Sequence, residues 1–437
     1  MIEQFQNHIL NRFSFLQKRK LLIAISGGID SVVLTHLCHD LHFNTALAHC
    51  NFNLRGNESD ADEEFVLQLA ENLNLEVFIE SFDTKVYAKS NKLSIQMAAR
   101  DLRYHWFKEL AEQLNFDYIL TAHHADDNLE TFLINLSRGT GLDGLTGISE
   151  VNDNLVRPLL SFSREMIERY AKEKNYKWCE DSSNSSKKYV RNKLRLDIIP
   201  ALKDLNPNFL QSFQTTLNNL NDTADIVEES LNAVLKRAIV SIDNSEMQIK
   251  VSAFKKLNNP KAYLYEFLKD YGFTEWNDVV NLLDAQSGKQ VFSPKYRLLK
   301  DRDVLILKEI DSNESDVIIS ISEADSEVQL PLGAFVLSDV SQIEETNSRI
   351  IYVDKETLKF PLTLRKWGQG DYFYPSGMQG KKKLSKYFKD EKLSLIEKEN
   401  IWLLCSSEDV VWVIGMRTDR RFKVRGSTRN ILKIKLV

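Results

Sequence analysis

Four short apolar runs, each separated from the next by a longer amphipathic stretch, constrain the fold of this chain most. LLIAI (Leu21 to Ile25), TALAHC (Thr45 to Cys50), VFIESF (Val77 to Phe82) and YILTAHH (Tyr118 to His124) read as buried strands. Between them, SVVLTHLCHDL, ADEEFVLQLAENL and SIQMAARDLRYHWFKELAEQL carry apolar residues at helical spacing. Strand–helix–strand repetition predicts an α/β fold with a parallel doubly wound sheet. This α/β domain is expected to cover residues 1–205. In such sheets ligands bind beyond the carboxyl ends of the strands. Chemistry is therefore expected in the loops after Ile25, Cys50 and Leu120.

The texture then changes. A long helical pattern begins at Phe209, and a short one runs around Tyr263 to Asp270, so a helical domain is expected over 206–305. An acidic, Ser-rich stretch marks a linker over 306–328. Strand-like runs (FVLSDV, IIYVD, LTLRKW, IWLLC, VVWVIGM, ILKIKLV) then predict a small C-terminal α+β domain over 329–437.

Charge separates these regions. The whole chain carries a net −5, but residues 361–437 hold 17 Lys and Arg against 8 Asp and Glu, a net +9. A basic end on an acidic protein points to a local polyanion site, and a solvated Lys-rich surface is the competing reading. With 43% hydrophobic and 27% charged residues, the composition excludes a disordered, collagen-like or coiled-coil chain. The four cysteines are far apart, which argues against a disulfide scaffold or zinc ribbon and fits a reducing cytosol. No apolar run approaches the roughly 20 residues of a spanning helix. The start, MIEQFQNHILNRF, lacks the pattern of a secretory leader. A cytoplasmic protein without membrane contact is expected.

After the first strand comes Ser26-Gly27-Gly28-Ile29-Asp30-Ser31, then an apolar helix. Two glycines permit a sharp turn and a close ligand approach. Backbone N–H groups and the helix N-terminus then form an anion site. Ser26 and Ser31 can donate hydroxyls to phosphate, and Asp30 would cap the helix or hold a metal. The loop is neither a Walker A loop nor G-x-G-x-x-G. It resembles the pyrophosphatase loop of the N-type ATP pyrophosphatases, which split ATP between the α and β phosphates.

Further stretches narrow the resemblance. After the second strand comes His49-Cys50-Asn51-Phe52-Asn53-Leu54-Arg55-Gly56, and a later helix holds Ala99-Arg100-Asp101-Leu102-Arg103-Tyr104. The fourth strand runs into His123-His124-Ala125-Asp126-Asp127-Asn128. Asp181-Ser182-Ser183-Asn184 and Tyr189-Val190-Arg191-Asn192-Lys193-Leu194-Arg195 follow. Together these resemble the tRNA(Ile)-lysidine synthase family, densely over the first 205 residues and more loosely beyond. The resemblance implies ATP-dependent ligation of L-lysine onto C2 of the wobble cytidine of tRNA(Ile) with a CAU anticodon. The reaction passes through an adenylated cytidine and converts methionine to isoleucine identity. The sequence departs from the family at Phe52, where many relatives have His, and at Ser183, where Thr is usual. Both departures predict less side-chain chemistry there.

On this resemblance, Asp30, Arg103, Asp127 and Arg195 are the candidate catalytic residues. Ser26, Gly27, Gly28, Ile29, Asp30 and Ser31 are the ATP-binding residues. His49, Arg55, His123, His124, Arg191, Asn192, Lys381, Lys382 and Lys383 are the candidates for substrate and tRNA binding. Asp126 and Asp127 are the candidate Mg²⁺ ligands, because carboxylates beside a phosphate site suit that ion. They could equally hold the lysine cation or cap their helix. Arg100 and Arg103, three apart, share a helix face and could grip phosphate; surface pairing with Asp101 or Glu109 is the alternative. Residues 187–203 hold six basic residues against Asp197, which suits RNA backbone. A homodimer is left open. A tRNA thiolase, an ammonia-fed amide synthetase and a non-catalytic binding protein are the competing functions. The scattered cysteines weigh against the first two, and the intact SGGIDS and HHADD stretches against the third.

Overall fold

The computed structural model describes residues 1–180, 190–243, 246–310, 318–330, 333–345 and 347–437. The stretch from Asp181 to Asn184, and Tyr189, lie outside them. The chain divides into two compact units, 1–228 and 229–437.

In the first unit, α1 (Ile2–Arg12) precedes β1 (Lys20–Ala24), α2 (Ile29–Asp40), β2 (Asn44–Asn51), α3 (Asn57–Leu73) and β3 (Val77–Ser81). Then come α4 (Thr84–Ser90), α5 (Ile95–Gln113), β4 (Tyr118–Leu120), α6 (Ala125–Arg138) and α7 (Leu142–Leu145). A hairpin of β5 (Val151–Asn152) and β6 (Leu155–Val156) leads to α8 (Arg164–Glu173). All four apolar runs are strands. The sheet order is β3-β2-β1-β4-β6-β5, parallel except for β5.

Alternation within β1 divides the core. Leu21 and Ile23 pack with Val32, Val33, Leu69 and Ile167 from α2, α3 and α8. Leu22 points the other way, onto Phe107, Leu110 and Ala111 of α5. A strand buried on both faces explains why LLIAI is apolar throughout. From β1 the order runs to β2 and β3 on one side and to β4 on the other. The crevice of a doubly wound sheet opens at that reversal, so the loops after β1 and β4 face the same opening.

The first unit closes with α9 (Val190–Lys193), a π-helical turn (Leu194–Ile198), α10 (Ile199–Leu205) and the start of α11 (Phe209–Ala238). Leu194, Ile199, Phe213 and Leu217 pack on Leu129 of α6. That contact draws the basic segment against the helix that follows β4.

In the second unit the expected helices are present as α11, α12 (Val251–Lys255), α13 (Pro260–Leu268) and α14 (Trp276–Asn281). With them is an antiparallel sheet that the sequence reading did not pick out: β7 (Ile239–Asp243), β8 (Glu246–Lys250), β9 (Gln290–Phe292), β10 (Tyr296–Asp301) and β11 (Val304–Glu309). These strands are short, and β7 to β9 carry polar residues on an open face, so no long apolar run announces them. Leu298, Leu305 and Leu307 pack on Val234, Leu264 and Val279.

The expected C-terminal strands form two further sheets. One contains β12 (Ile319–Ile321), β16 (Leu362–Lys366), β19 (Trp402–Ser406) and β20 (Asp409–Val413). The other contains β13 (Glu327–Leu330), β14 (Gly333–Val340), β21 (Ile431–Leu436) and β15 (Ile350–Asp354). Their inner faces meet at Phe335, Leu364, Leu404, Trp412 and Ile434. A hairpin of β17 (Tyr372–Phe373) and β18 (Lys382–Lys383) precedes α15 (Leu384–Asp390) and α16 (Leu395–Glu399). Among the described residues no helix is long and apolar enough to cross a membrane.

Candidate active site

The phosphate loop is held open by its own hydroxyls. Gly27 has φ +86°, a conformation L side chains rarely adopt. Gly28 is the N-cap of α2 and has no side chain to cap it. Ser31 Oγ donates to the Gly28 carbonyl at 2.9 Å and accepts from the Ser26 N–H at 3.2 Å. Ser26 and Ser31 hydroxyls lie 3.3 Å apart. The first backbone N–H groups of α2 have no partner within the helix, the arrangement that receives an anion.

His49 braces this loop from β2. It is 4% exposed, and its Nδ1 lies 3.0 Å from the Ile25 carbonyl. Burial lowers its pKa, against the hydrogen bond to Ile25. Such a side chain supports the end of β1. Arg55 reaches back to Asp62 at 2.6 Å.

Across the crevice, His124 caps α6 in a reciprocal box. Its Nδ1 accepts from the Asp127 N–H at 3.4 Å, and Asp127 Oδ2 accepts from the His124 N–H at 3.1 Å. His124 Nε2 lies 3.8 Å from Asp30 Oδ1 and 3.4 Å from Asp127 Oδ2. The tertiary fold thereby brings the phosphate loop and the HHADD stretch together. His123 contacts the Thr121 hydroxyl at 2.9 Å. Burial, reinforced by Arg157, Arg191 and Arg100 and opposed by Asp127, pushes its pKa down to about 4, so it is neutral at neutral pH.

The carboxylates differ sharply. Asp30 pairs with Arg164, yet its Oδ1 is buried without a hydrogen-bond partner. Burial raises its pKa, against His124 and Arg164. Asp126 has both oxygens engaged: Oδ1 by Lys203 at 2.7 Å and Oδ2 by the Arg164 N–H at 2.8 Å. It therefore fits a metal ion poorly, because its lone pairs already tie α6 to α8 and α10. Asp127 keeps Oδ1 toward Arg195 at 3.3 Å. Among the described residues no group of three or more His, Cys, Asp or Glu is arranged to hold a metal unaided. Asp30 Oδ1, an orphaned buried acceptor, is the better fit to a cation shared with phosphate oxygens.

Arg195 and Arg191 converge on Glu130. Arg195 Nε donates to it at 2.7 Å, and Arg191 Nε lies 3.2 Å away. Glu130 is 1% exposed, and burial raises its pKa against the pull of Arg195. The sequence reading missed Glu130. Its signal was present: it stands three residues after Asp127, on the same face of a helix. Arg164, Lys203 and the buried Arg157 were also missed, because their partners are distant in sequence. Asn192 lies on α9 between Arg191 and Lys193.

Arg100 and Arg103 leave α5 toward different rings. Arg100 stacks over Tyr104 at 4.8 Å and Arg103 over Phe52 at 5.1 Å. Among the described residues neither arginine is paired with Asp101, which accepts from Tyr87, or with Glu109, which lies beside His105. In the second unit, Lys381 lies over Tyr372 at 5.0 Å, Lys382 pairs with Asp390 at 2.7 Å, and Lys383 is exposed. Phe373, Tyr387 and Phe388 are core. Tyr372 is the exposed ring of the hairpin, at 42%.

A serine-lined anion loop at a helix N-terminus, set at the reversal of a doubly wound sheet, defines a PP-loop nucleotide enzyme. The PP-loop domain family matches residues 1–202, the TilS substrate binding domain residues 242–310, and the TilS substrate C-terminal domain residues 362–435. A tRNA(Ile)-lysidine synthase of Parabacteroides distasonis is 42% identical over 421 residues, 95% of each chain. That of Bacteroides thetaiotaomicron is 40% identical over 97% of this chain and 96% of its own. That of Porphyromonas gingivalis strain W83 is 36% identical over 93% and 91%. The chain belongs to the tRNA(Ile)-lysidine synthase family. The thiolase, amide synthetase and binding-only readings are not favoured.

Proposed function

We propose that this chain ligates L-lysine onto C2 of the wobble cytidine of tRNA(Ile) with a CAU anticodon, at the expense of ATP. The observation that carries the reading is the juxtaposition of the Ser26–Ser31 loop with Asp30, His124 and Asp127 across one crevice. The base's C2 oxygen attacks the α-phosphorus of ATP, and the bond to pyrophosphate breaks. The lysine ε-amine then attacks C2, the bond to AMP breaks, and the amine gives up its proton.

Each group has a place in that sequence. The backbone N–H groups of the loop and the hydroxyls of Ser26 and Ser31 take the pyrophosphate portion, whose charge suits a helix N-terminus. Asp30, with Asp127 nearby, would hold Mg²⁺, which supplies charge neutralisation on the phosphates. Asp127 offers the carboxylate that receives the lysine cation and Arg195 orients it, while the buried Glu130 holds Arg195 and Arg191 in place. Arg103, on α5, would stabilise charge developing on the activated cytidine. The basic hairpin at Lys381, Lys382 and Lys383 contacts tRNA phosphates, which position an RNA without reading its sequence. The division of labour follows: residues 1–205 perform the chemistry, and 206–305 and 329–437 bind tRNA across the 306–328 connection. A cytoplasmic site of action accords with four unpaired cysteines.

Incubation with ATP, labelled L-lysine and a CAU-anticodon tRNA(Ile) transcript, followed by nuclease digestion, should yield labelled lysidine at the wobble position. A modified wobble base that forms only when a labelled sulfur donor or labelled ammonia replaces lysine would overturn the reading, as would no lysidine with a folded, ATP-binding enzyme.

A further inference from the structure

We propose that Phe52 is a positioning residue: its ring, locked in an aromatic layer, holds the guanidinium of Arg103 over the site. This inference rests on the catalytic reading of Arg103 given above and adds a partner to it.

The first observation is the stack itself, with the Arg103 guanidinium carbon 5.1 Å from the Phe52 ring centre. Among the described residues, no carboxylate lies within ion-pair distance of Arg103. An exposed arginine without an anion would sample many rotamers. A ring face in contact with the guanidinium selects among them through the attraction of the cation to the ring quadrupole.

The second observation is that the ring is immobilised from behind. Phe52 stacks on Phe82 with ring centres 5.8 Å apart and planes 21° from parallel. Phe82 meets Trp106 edge-on at 6.3 Å. Trp106 is three residues after Arg103 on α5, so the aromatic layer returns to the helix that carries the cation. The backbone is fixed as well. The Thr84 hydroxyl donates to the Phe52 carbonyl at 2.9 Å. Asn53, at φ +51°, donates from its side chain to the Ser81 hydroxyl at 2.8 Å and to the Phe82 carbonyl at 3.1 Å. Its own N–H donates to Asn51 Oδ1 at 3.1 Å. Six polar and aromatic contacts thus define one ring orientation, and a fixed platform is what a positioned guanidinium requires.

The third observation is location. Phe52 follows Asn51, the last residue of β2, so the stack stands beside the end of the strand whose His49 braces the Ile25 carbonyl. Phe52 itself is half-buried beneath the guanidinium.

The test is a double-mutant cycle on the full chain, read as lysidine formation with kcat and KM separated. Phe52→Leu keeps apolar bulk and removes the π face. It should lower kcat about 3- to 30-fold, the span of cation–π energies from exposed to desolvated sites, with KM for ATP unchanged. Phe52→Tyr, which keeps the face, should restore near wild-type kcat. In an Arg103→Ala background, Phe52→Leu should cost nothing further, because a residue acting through Arg103 has nothing left to position. If Phe52→Leu fails to fold, Phe52→Met replaces it in the same cycle. An equal loss in both backgrounds would overturn the proposal and make Phe52 a substrate contact. Unchanged kcat in Phe52→Leu would overturn it too. If Arg103→Ala turns over like wild type, the catalytic role of Arg103 falls, and the positioning role with it.

Discussion

The cations around the phosphate loop and those of the C-terminal hairpin have the same charge and opposite surroundings. In the first region four of them have a specific carboxylate: Arg164 on Asp30, Lys203 on Asp126, Arg195 and Arg191 on Glu130. Two of these acceptors, Asp126 and Glu130, are 8% and 1% exposed. In the hairpin, Lys381 and Lys383 are exposed, and Lys382 answers to one solvent-facing Asp390. Buried pairs lose much if one partner is removed, because the other is left uncompensated. Exposed charges lose little individually and act as a field screened by salt. The first region is therefore built to place atoms, and the second to attract a polyanion.

The sharpest way to break this contrast is Glu130→Ala. It removes the shared acceptor of two arginines and should cost near the low end of about 3–5 kcal/mol in stability, since those arginines are partly solvated. Turnover should fall about 100-fold, roughly 2.7 kcal/mol of barrier. Thermal unfolding and single-turnover lysidine formation measure the two effects, and a near-neutral result would make the pair ornamental. Gly27→Val comes next. The space there is ordinary, with an added Cβ 3.6 Å from Cys179 Sγ and Phe65, so the φ of +86° is the obstacle. Strain of about 1–3 kcal/mol should reshape the loop and reduce ATP use at least about tenfold. ATP titration of the folded variant checks this.

Asp127→Ala should lower turnover by about an order of magnitude or more, near 1.4 kcal/mol, while tRNA affinity stays within error. Equal turnover would leave Asp127 as the helix cap that its bond to the His124 N–H already makes it. The smallest effect on chemistry belongs to the hairpin. Replacing Lys381, Lys382 and Lys383 by Ala should weaken tRNA binding and flatten its salt dependence by about 0.7–0.9 in log–log slope per lost contact. The rate at saturating tRNA should hold. A changed rate with an unchanged slope would erase the distinction between the regions.

Much of this was legible beforehand. The four apolar strands, the phosphate loop and the HHADD cap announced themselves because each is a local pattern. The sheet from β7 to β11 did not: β7 to β9 are half solvated, and the buried runs of β10 and β11 stand alone among polar residues. Nor did Glu130, Arg164, Lys203 or Arg157, whose partners lie on other elements. Phe52 was expected to contribute little chemistry. The structure instead places it under Arg103, a relation between a loop and a helix about fifty residues on.

The sequence alone determined the class of ligand. Two glycines between serines, after an apolar strand and before an apolar helix, can form an anion-binding turn whatever surrounds them. It also determined that β1 is buried on both faces, because LLIAI leaves no polar face to turn to water. What the tertiary structure decided is which carboxylate is free. Asp30, Asp126 and Asp127 look equivalent as letters near a phosphate site. Only packing shows that Asp126 is consumed by Lys203 and the α8 backbone, that Asp127 is shared between a cap and Arg195, and that one oxygen of Asp30 is left without a partner. The reason is physical: the chemistry of a carboxylate is set by what occupies its lone pairs, and those occupants come from helices that meet only when the chain has folded.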